Sequence, residues 1–538
     1  MWKISGSMGL AIGLACGGAS AATLEGVVKD ADGKALQGVF VMAAQAERKM
    51  TTAVVSDANG HFLLHDLYPG KYALSTARIG YAPATVADFA LPYTGGQHDF
   101  QLTTVDPTNQ LPSNMWLAAL PDGEFKARFI TGCTICHDPG SETLRRPRNE
   151  QEWEAAIQLM RDRLDIYSVI PKFEPKELAT WLVAQKFASK PADVPIPDPG
   201  KDGTAKTTVT IYDVGYPDSW AHDMVIEPAT GAAWVGDYPY DELVRIDPVS
   251  GEQKRYKLPT KGGGMHTLHF DTKGTLWITL QLADMVASFD PATEAFQLYR
   301  GFRKGSLIHS FAYDEQGLVK FDQQGRMWLS EFGTNVVASL NPESGEIKEY
   351  ELLGAEGHAY GIALDSKDRV WFTKYVENVY GMLDPASGQV VEKHLPRAES
   401  APHRMCGDNK DRMWIPNSSY GTLARYDIAT DTLEEFDLPD KDVFPYACRY
   451  DGATDTVWVQ GNGTSSIYRF DPQTRQFTSY RMPLQLAYGR MVAFDYKTGS
   501  VWTSLSNYPN KHTGRATGSL VRFSGIEPPV REAPLAGR

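Results

Sequence analysis

From residue 207 onward the chain reads as short apolar stretches broken by Asp, Asn and Gly, and these stretches recur as a repeat. Each unit carries a tryptophan, at Trp234, Trp277, Trp328, Trp371, Trp414, Trp458 and Trp502, with intervals of 43, 51, 43, 43, 44 and 44 residues. Thirteen residues after each of the first six stands an acid or amide: Asp247, Asp290, Asn341, Asp384, Asp427 and Asp471. An insertion around residues 315–321 accounts for the long interval. One unit reads as four strands, over 358–364, 370–374, 379–383 and 390–395. A period in the low forties with four strands per unit predicts a β-propeller, and seven units predict seven blades. The stretch 207–214 has the pattern of an outer strand but precedes the first unit, while the last unit stops near 519–523. It is expected to complete the last blade and lock the ring.

Two other patterns precede the repeat, set off by Pro-rich polar stretches at 106–114 and 189–206. Residues 24–28, 39–43, 61–64 and 72–76 alternate as short strands between turns such as Asp57-Ala58-Asn59-Gly60 and Tyr68-Pro69-Gly70. Residues 122–130, 150–164 and 175–187 instead have helical spacing. Trp153, Ile157, Met160 and Leu164 form one apolar face of the middle helix. The expected fold is mainly β: a propeller over 207–525, an N-terminal β-sandwich over 22–105 and a small α-helical unit over 112–188.

Residues 1–21 read as a signal peptide, with Lys3, an apolar core over 8–15 and Ala19-Ser20-Ala21 before the cut. A lipoprotein anchored at Cys16 is the alternative, but Gly13-Leu14-Ala15 makes a poor lipobox. No later stretch is apolar for long enough to span a bilayer, so a periplasmic protein with no transmembrane segment in its mature chain is expected. A chain of 538 residues with net charge −13 and no basic run argues against nucleic acid and anionic membrane as partners.

The run Cys133-Thr134-Ile135-Cys136-His137 changes the picture most. Two cysteines at this spacing add to the two vinyl groups of one haem, and the adjacent histidine reaches the iron. A zinc site wants a second ligand pair nearby, and a thioredoxin-type pair wants a βαβ setting. Neither is present, so covalent haem c on Cys133, Cys136 and His137 is expected. Met160 is the candidate sixth ligand, with an open position or a lysine as alternatives; a thioether suits an electron-transfer haem. Of the remaining cysteines, Cys406 and Cys448 read as small buried thiols, with a disulfide as the alternative.

Strand direction in the repeat predicts a polar mouth. The inner strand begins, and the Trp strand ends, at one end of the ring. His222, His266, His309, His358 and His403, with Tyr446 and Arg490, are read at the first position. Asp237, Leu280, Glu331, Lys374, Asn417, Gly461 and Leu505 stand three residues past each Trp. Several imidazoles on one rim suit a metal, an anion or proton transfer.

Three resemblances follow from these residues. Gly26-Val27-Val28, Asp32-Gly33, Gly60-His61-Phe62 and Pro69-Gly70-Lys71-Tyr72 resemble the carboxypeptidase regulatory-like β-sandwich family. The Cys133–His137 run with its flanking helices resembles a small class I-type cytochrome c domain. Trp371-Phe372-Thr373, Trp328-Leu329-Ser330-Glu331, Tyr360-Gly361-Ile362 and Glu349-Tyr350-Glu351-Leu352 resemble the virginiamycin B lyase (streptogramin lyase) family across 207–523. That resemblance implies metal-assisted elimination opening a cyclic lactone. His309 would be the acid/base residue, while Glu356 and His358 would hold Mg2+ or another divalent cation and move the proton. Where the family has an acid just past the Trp, this chain has Lys374 and Tyr375.

Elimination moves no net electrons, so a lyase has no use for a tethered haem, whereas a substrate oxidase does. The expected function is therefore a periplasmic haem c oxidoreductase or electron-transfer protein. It would act on a small-molecule substrate at the propeller mouth and pass electrons to a periplasmic partner. His309, Glu356, His358 and Glu331 are the candidate catalytic residues. The alternatives are a carbon–oxygen lyase with an accessory cytochrome, and a scaffold that binds a redox partner.

Overall fold

The computed structural model describes residues 22–531 apart from 135–136, 164–173, 188–190, 192–194, 197, 355–357 and 507–516. Period-2 alternation builds the N-terminal unit. In strand Ala22–Asp30, Ala22, Leu24 and Val28 turn inward while Thr23 and Glu25 face solvent. They pack with Val41, Leu64, Leu74 and Phe100 in one core. The turn before strand His61–Leu67 is fixed by Asp57, whose carboxylate accepts from the amides of Asn59 and His61, both at 2.8 Å. Gly60 supplies the left-handed φ of 76° that this turn requires.

The repeat folds into a β-propeller. Six antiparallel four-stranded sheets follow one another from Ala221–Ile226 to Gln476–Arg481. Their first strands touch in succession, and Tyr488–Asp495 returns to touch Ala221–Ile226, so the ring closes. The recurring residues explain the repeat. Asp271, Asp322, Asp365 and Asp408 each stand six residues before a Trp and accept its indole N–H, at 2.8–2.9 Å. The other oxygen caps the turn: Asp365 Oδ1 accepts from the amides of Lys367 and Arg369 at 2.9 and 3.0 Å. The acid thirteen residues after the Trp does the same for the next turn, as Asp247 does for Val249 and Ser250. Both devices fix their turns by pairing the turn amides with an Asp side chain.

One strand carries the closure. Thr208–Asp213 pairs antiparallel with Ser519–Ser524, the last propeller strand, and on its other edge with Met50–Val55 of the N-terminal unit. The last sheet and the N-terminal sheet are thereby a single eight-stranded sheet. Val209 and Ile211 are buried with Phe40 and Ala53 from one side and Val521 and Phe523 from the other.

The segment between is helical. Ser113–Leu117, Glu124–Cys133, Glu142–Arg145, Glu150–Arg163 and Pro175–Ala184 are its helices. A capping box opens the fourth: Asn149 Oδ1 accepts from the Glu152 amide and Glu152 Oε2 from the Asn149 amide, both at 2.9 Å. Pro175 occupies the first turn of the last, where its missing N–H costs nothing. Trp153 is buried and Ile157 packs beside it, with Met160 half-buried on the same stripe; Leu164 lies outside the described residues.

Cys406 and Cys448, expected as separate buried thiols, are joined as a disulfide with Cα atoms 5.8 Å apart. The bridge between Arg404 and Ala447 brings the two inner strands side by side, which the repeat alone did not reveal. Residues 1–21 lie outside the described residues, so the signal peptide does too. Among the described residues no helix is long and apolar enough to cross a membrane.

Ile211→Ala opens a cavity at the closing seam and is expected to cost about 3 kcal/mol of stability. Urea unfolding of the full chain checks this, and an unchanged midpoint would contradict the seam's importance.

Candidate functional site

The second residue of each inner strand, or its equivalent, points into the ring. These residues are His222, His266, His309, Tyr360, His403, Tyr446 and Arg490, and all are buried. They form a belt. Ring centroids are 3.8 Å apart for His222–His266, 4.1 Å for His266–His309 and 4.1 Å for His309–Tyr360. The belt continues at 5.0 Å for Tyr360–His403 and 4.6 Å for His403–Tyr446, and Arg490 stands 5.4 Å from the Tyr446 ring. The Tyr360 and Tyr446 hydroxyls share a hydrogen bond of 2.8 Å across the mouth.

Just beyond the belt the channel is plugged by charge. Arg404 pairs with Asp223 at 2.7 Å and also donates to Thr267 Oγ1. The imidazoles turn one nitrogen to this layer: His222 Nδ1 lies 3.1 Å from Asp223 Oδ1, His266 Nδ1 3.0 Å from Thr267 Oγ1 and His309 Nδ1 2.8 Å from Ser310 Oγ. A cavity of about 10 Å³ remains beside His269 and Arg404, the size that holds one water. Anything larger meets the belt only from the mouth. Burial, and then the nearby Arg490 and Arg404 charges, hold His222 and His403 well below the usual imidazole range. Burial followed by a neighbouring belt imidazole does the same for His266 and His309. Neutral imidazoles can ligate metal, donate or accept. His222, Asp223 and His266 lie close enough to hold an ion, their candidate atoms within 4.8 Å of one another, but Asp223 is already committed to Arg404.

His358 is not in the belt. The belt position in its unit is Tyr360, and His358 sits two residues earlier at the rim, with Nδ1 2.7 Å from the Phe332 carbonyl. Glu356 lies outside the described residues. The acids and lysine past each Trp share an end with the belt, as the pairing of Ile308 with Glu331 requires, but their side chains turn away from it. Asp237 binds Ser219 and Arg255, Lys374 binds Glu377 and Glu392 at 3.1 and 2.8 Å, and Asn417 donates to Glu435 at 3.0 Å. Glu331 accepts from Thr334 at 2.7 Å and lies beside Glu349 and Arg303. The main partners, Arg255, Glu349, Glu392 and Glu435, all lie on the outermost strand of the same unit. These are staples within each sheet, so Glu331 does not join His309 and His358.

The mouth is covered by the helical segment. Tyr375 donates its hydroxyl proton to the Thr131 carbonyl at 2.7 Å, and Thr131 Oγ1 shares a 2.9 Å hydrogen bond with Ser419. Lys126 forms a buried ion pair with Asp442 at 2.7 Å, and Asn114 donates to the Lys441 carbonyl at 3.1 Å. One buried cluster joins Phe129, Leu144, Trp153 and Phe187 of this segment to Phe332, Tyr360, Tyr446 and Tyr488 of the propeller, with Cys133 packed against it. Cys133 ends its helix, and the His137 amide donates to the Cys133 carbonyl at 3.0 Å, closing the motif into one turn. Cys136 lies outside the described residues. A thiol and an imidazole in one turn beside an aromatic wall fit a covalent haem.

Comparison with known proteins gives the fold. The virginiamycin B lyase family model matches residues 316–509, and the carboxypeptidase regulatory-like domain model matches 23–103. A search of curated proteins gives no match. Selenomethionine-substituted virginiamycin B lyase from Staphylococcus aureus is 18% identical with a TM-score of 0.51, covering 59% of this chain and 99% of its own. A streptogramin B lyase structure is 19% identical with a TM-score of 0.50, covering 59% of this chain and 97% of its own. A catalytically inactive histidine-to-alanine variant of the S. aureus lyase, with quinupristin, is 19% identical with a TM-score of 0.51, covering 59% of this chain and 99% of its own. The propeller is thus virginiamycin B lyase-like, and the N-terminal unit carboxypeptidase regulatory-like.

Burial pushes the Glu331 carboxyl up to about 8, with Glu349 adding to the effect. Its folded pKa lies above the unfolded one, so its stabilising contribution is full at acid pH and is lost as pH rises through about 8. In Glu331→Gln that loss disappears. Melting curves are expected to move in favour of the variant between about pH 5 and about pH 9; parallel curves would contradict the buried carboxyl.

Proposed function

We propose that the chain is an exported, periplasmic haem c protein whose helical segment, about residues 112–188, is a cytochrome-like cover on a seven-bladed propeller spanning 207–525. The β-sandwich over 22–105 braces the ring through the closing strand. The observation that carries this reading is the packing of Cys133 against the buried cluster that holds Tyr360 and Tyr446. Cys133 and Cys136 would bond the haem, and His137 and Met160 would ligate its iron; Cys133 packs against the cluster that holds Tyr360 and Tyr446. Haem c bound there supplies one-electron transfer.

The chain's own residues do the rest. The belt orients a small-molecule substrate by stacking and by hydrogen bonds from neutral imidazoles and the two phenols. The Asp223–Arg404 plug shuts the channel behind it, and the helical cover keeps water from the mouth. A neutral imidazole such as His309 can take the proton released when the substrate is oxidised. A periplasmic partner would accept the electrons that the oxidation supplies. Cys133→Ala with Cys136→Ala is expected to abolish a denaturant-resistant red chromophore in periplasmically matured protein, and surviving colour would contradict the reading. Met160→Ala is expected to remove the near-infrared Met–Fe band and lower the potential. An unchanged band assigns Met160 to the core alone.

A second reading, a metal-assisted carbon–oxygen lyase, is favoured by the virginiamycin B lyase family match. His309 would move the proton, and Glu356 with His358 at the rim would hold Mg2+ or another divalent cation. Against it stands Lys374, tied to Glu377 and Glu392 where the resemblance implies an acid. The two readings part on His358. In the lyase, His309→Ala and His358→Ala both abolish turnover, without any haem reduction by substrate. In the oxidoreductase, substrate reduces the haem, His309→Ala slows reduction at least about tenfold, and His358→Ala does not.

A further inference from the structure

We propose that Arg490 anchors a carboxylate-bearing ligand at the propeller mouth. Arg490 fills the belt position between Tyr446 and His222 and is only 5% exposed. Its Nε donates to Ser506 Oγ at 3.0 Å and its Nη1 to the Tyr446 hydroxyl at 3.3 Å. The rings of Tyr488 and Trp220 stand 4.4 and 5.6 Å from its central carbon. These contacts are all with neutral groups, so none of them brings a negative charge.

Arg404, one residue further along the strands, shows a guanidinium that does have a counter-charge here, with Asp223 at 2.7 Å. Among the described residues Arg490 has no carboxylate within ion-pair distance. The acid of the cover that feels its charge, Asp138, accepts a hydrogen bond from Ser113 Oγ at 3.3 Å and forms no ion pair with Arg490. A buried cation without a counter-charge is costly to the fold, and such a cost is tolerated where a ligand brings the missing charge. One guanidinium among neutral donors matches one negative charge, and its planar fork matches a carboxylate better than a phosphate. The flanking rings favour a flat body behind that carboxylate.

Two sources carry this chemistry: a haem propionate, or the carboxylate of a small-molecule substrate. Only the first depends on the haem reading above. The probe is benzoate, with benzamide as its uncharged control, added to the full chain. Thermal melting and Trp220 fluorescence are followed in wild type, Arg490→Gln, Arg490→Lys and the Cys133→Ala/Cys136→Ala chain. Benzoate is expected to raise the melting temperature while benzamide does not. Introduced into whichever chain binds benzoate, wild type or cysteine-free, Arg490→Gln is expected to weaken that binding by about tenfold or more, and unliganded to melt no lower than its parent chain. Arg490→Lys, which keeps the charge, is expected to retain part of the binding, and it replaces Arg490→Gln as the test if that variant does not fold. Binding only in the cysteine-free chain assigns the site to a haem propionate, and binding in both chains assigns it to a substrate. Equal responses to benzoate and benzamide, unweakened binding in Arg490→Gln, or no binding in any chain would overturn the proposal. A colourless wild-type protein would refute the haem reading and leave the benzoate comparison intact.

Discussion

The structure depends on one strand that belongs to two units. Thr208–Asp213 completes the last propeller sheet and continues into the N-terminal sheet, so both share one hydrogen-bonded ladder. A propeller whose inner strands touch in sequence is stable only when the last sheet is held against the first. Here that hold is supplied from outside the repeat, with Phe40 and Ala53 burying the back of the closing strand. The belt inherits its geometry from this closure. Arg490 stands on a strand of the closing sheet and meets His222 on the first, so a ring open at the seam has no belt.

The belt and its cover depend on each other. Seven buried polar or charged side chains facing one hollow would be costly if open water and protein alternated around them. The helical segment settles this by roofing the mouth with apolar side chains and tying its rim through Thr131, Lys126 and Asn114. The result is a buried layer of polar rings and one guanidinium under an apolar roof, closed below by Asp223 and Arg404. Cys133 packs against the same cluster that holds the belt residues Tyr360 and Tyr446.

Much of this fold was legible in the sequence because it rests on periodic residues. The Trp repeat, the turn acids and the outer-strand pattern of 207–214 each have a local physical cause, and each became the expected element. The belt was partly legible. Six of its members were read correctly, but His358 was taken for Tyr360. The signal was present: belt residues stand eleven or twelve positions before the Trp, or nineteen in the unit with the insertion, and His358 breaks that spacing. Glu331, Lys374 and Asp237 were placed at the right end of the ring but on the wrong side of their strands. Strand direction fixes the end, whereas side-chain direction depends on partners such as Glu349 and Arg255 on the outer strand. Docking of the helical segment was not legible, since it joins residues that no period relates, while the Asp223–Arg404 plug and the Cys406–Cys448 disulfide join corresponding stretches of different repeats without the period showing which side chains pair.

The decisive point is where a group bonded at Cys133 would lie. An anomalous difference map at the iron edge, from crystals of periplasmically matured protein, locates that group directly. The account predicts one iron peak per chain beside His137, on the side that faces Tyr360 and Tyr446. No peak, or a peak on the solvent side of the helical segment away from the belt, would contradict it.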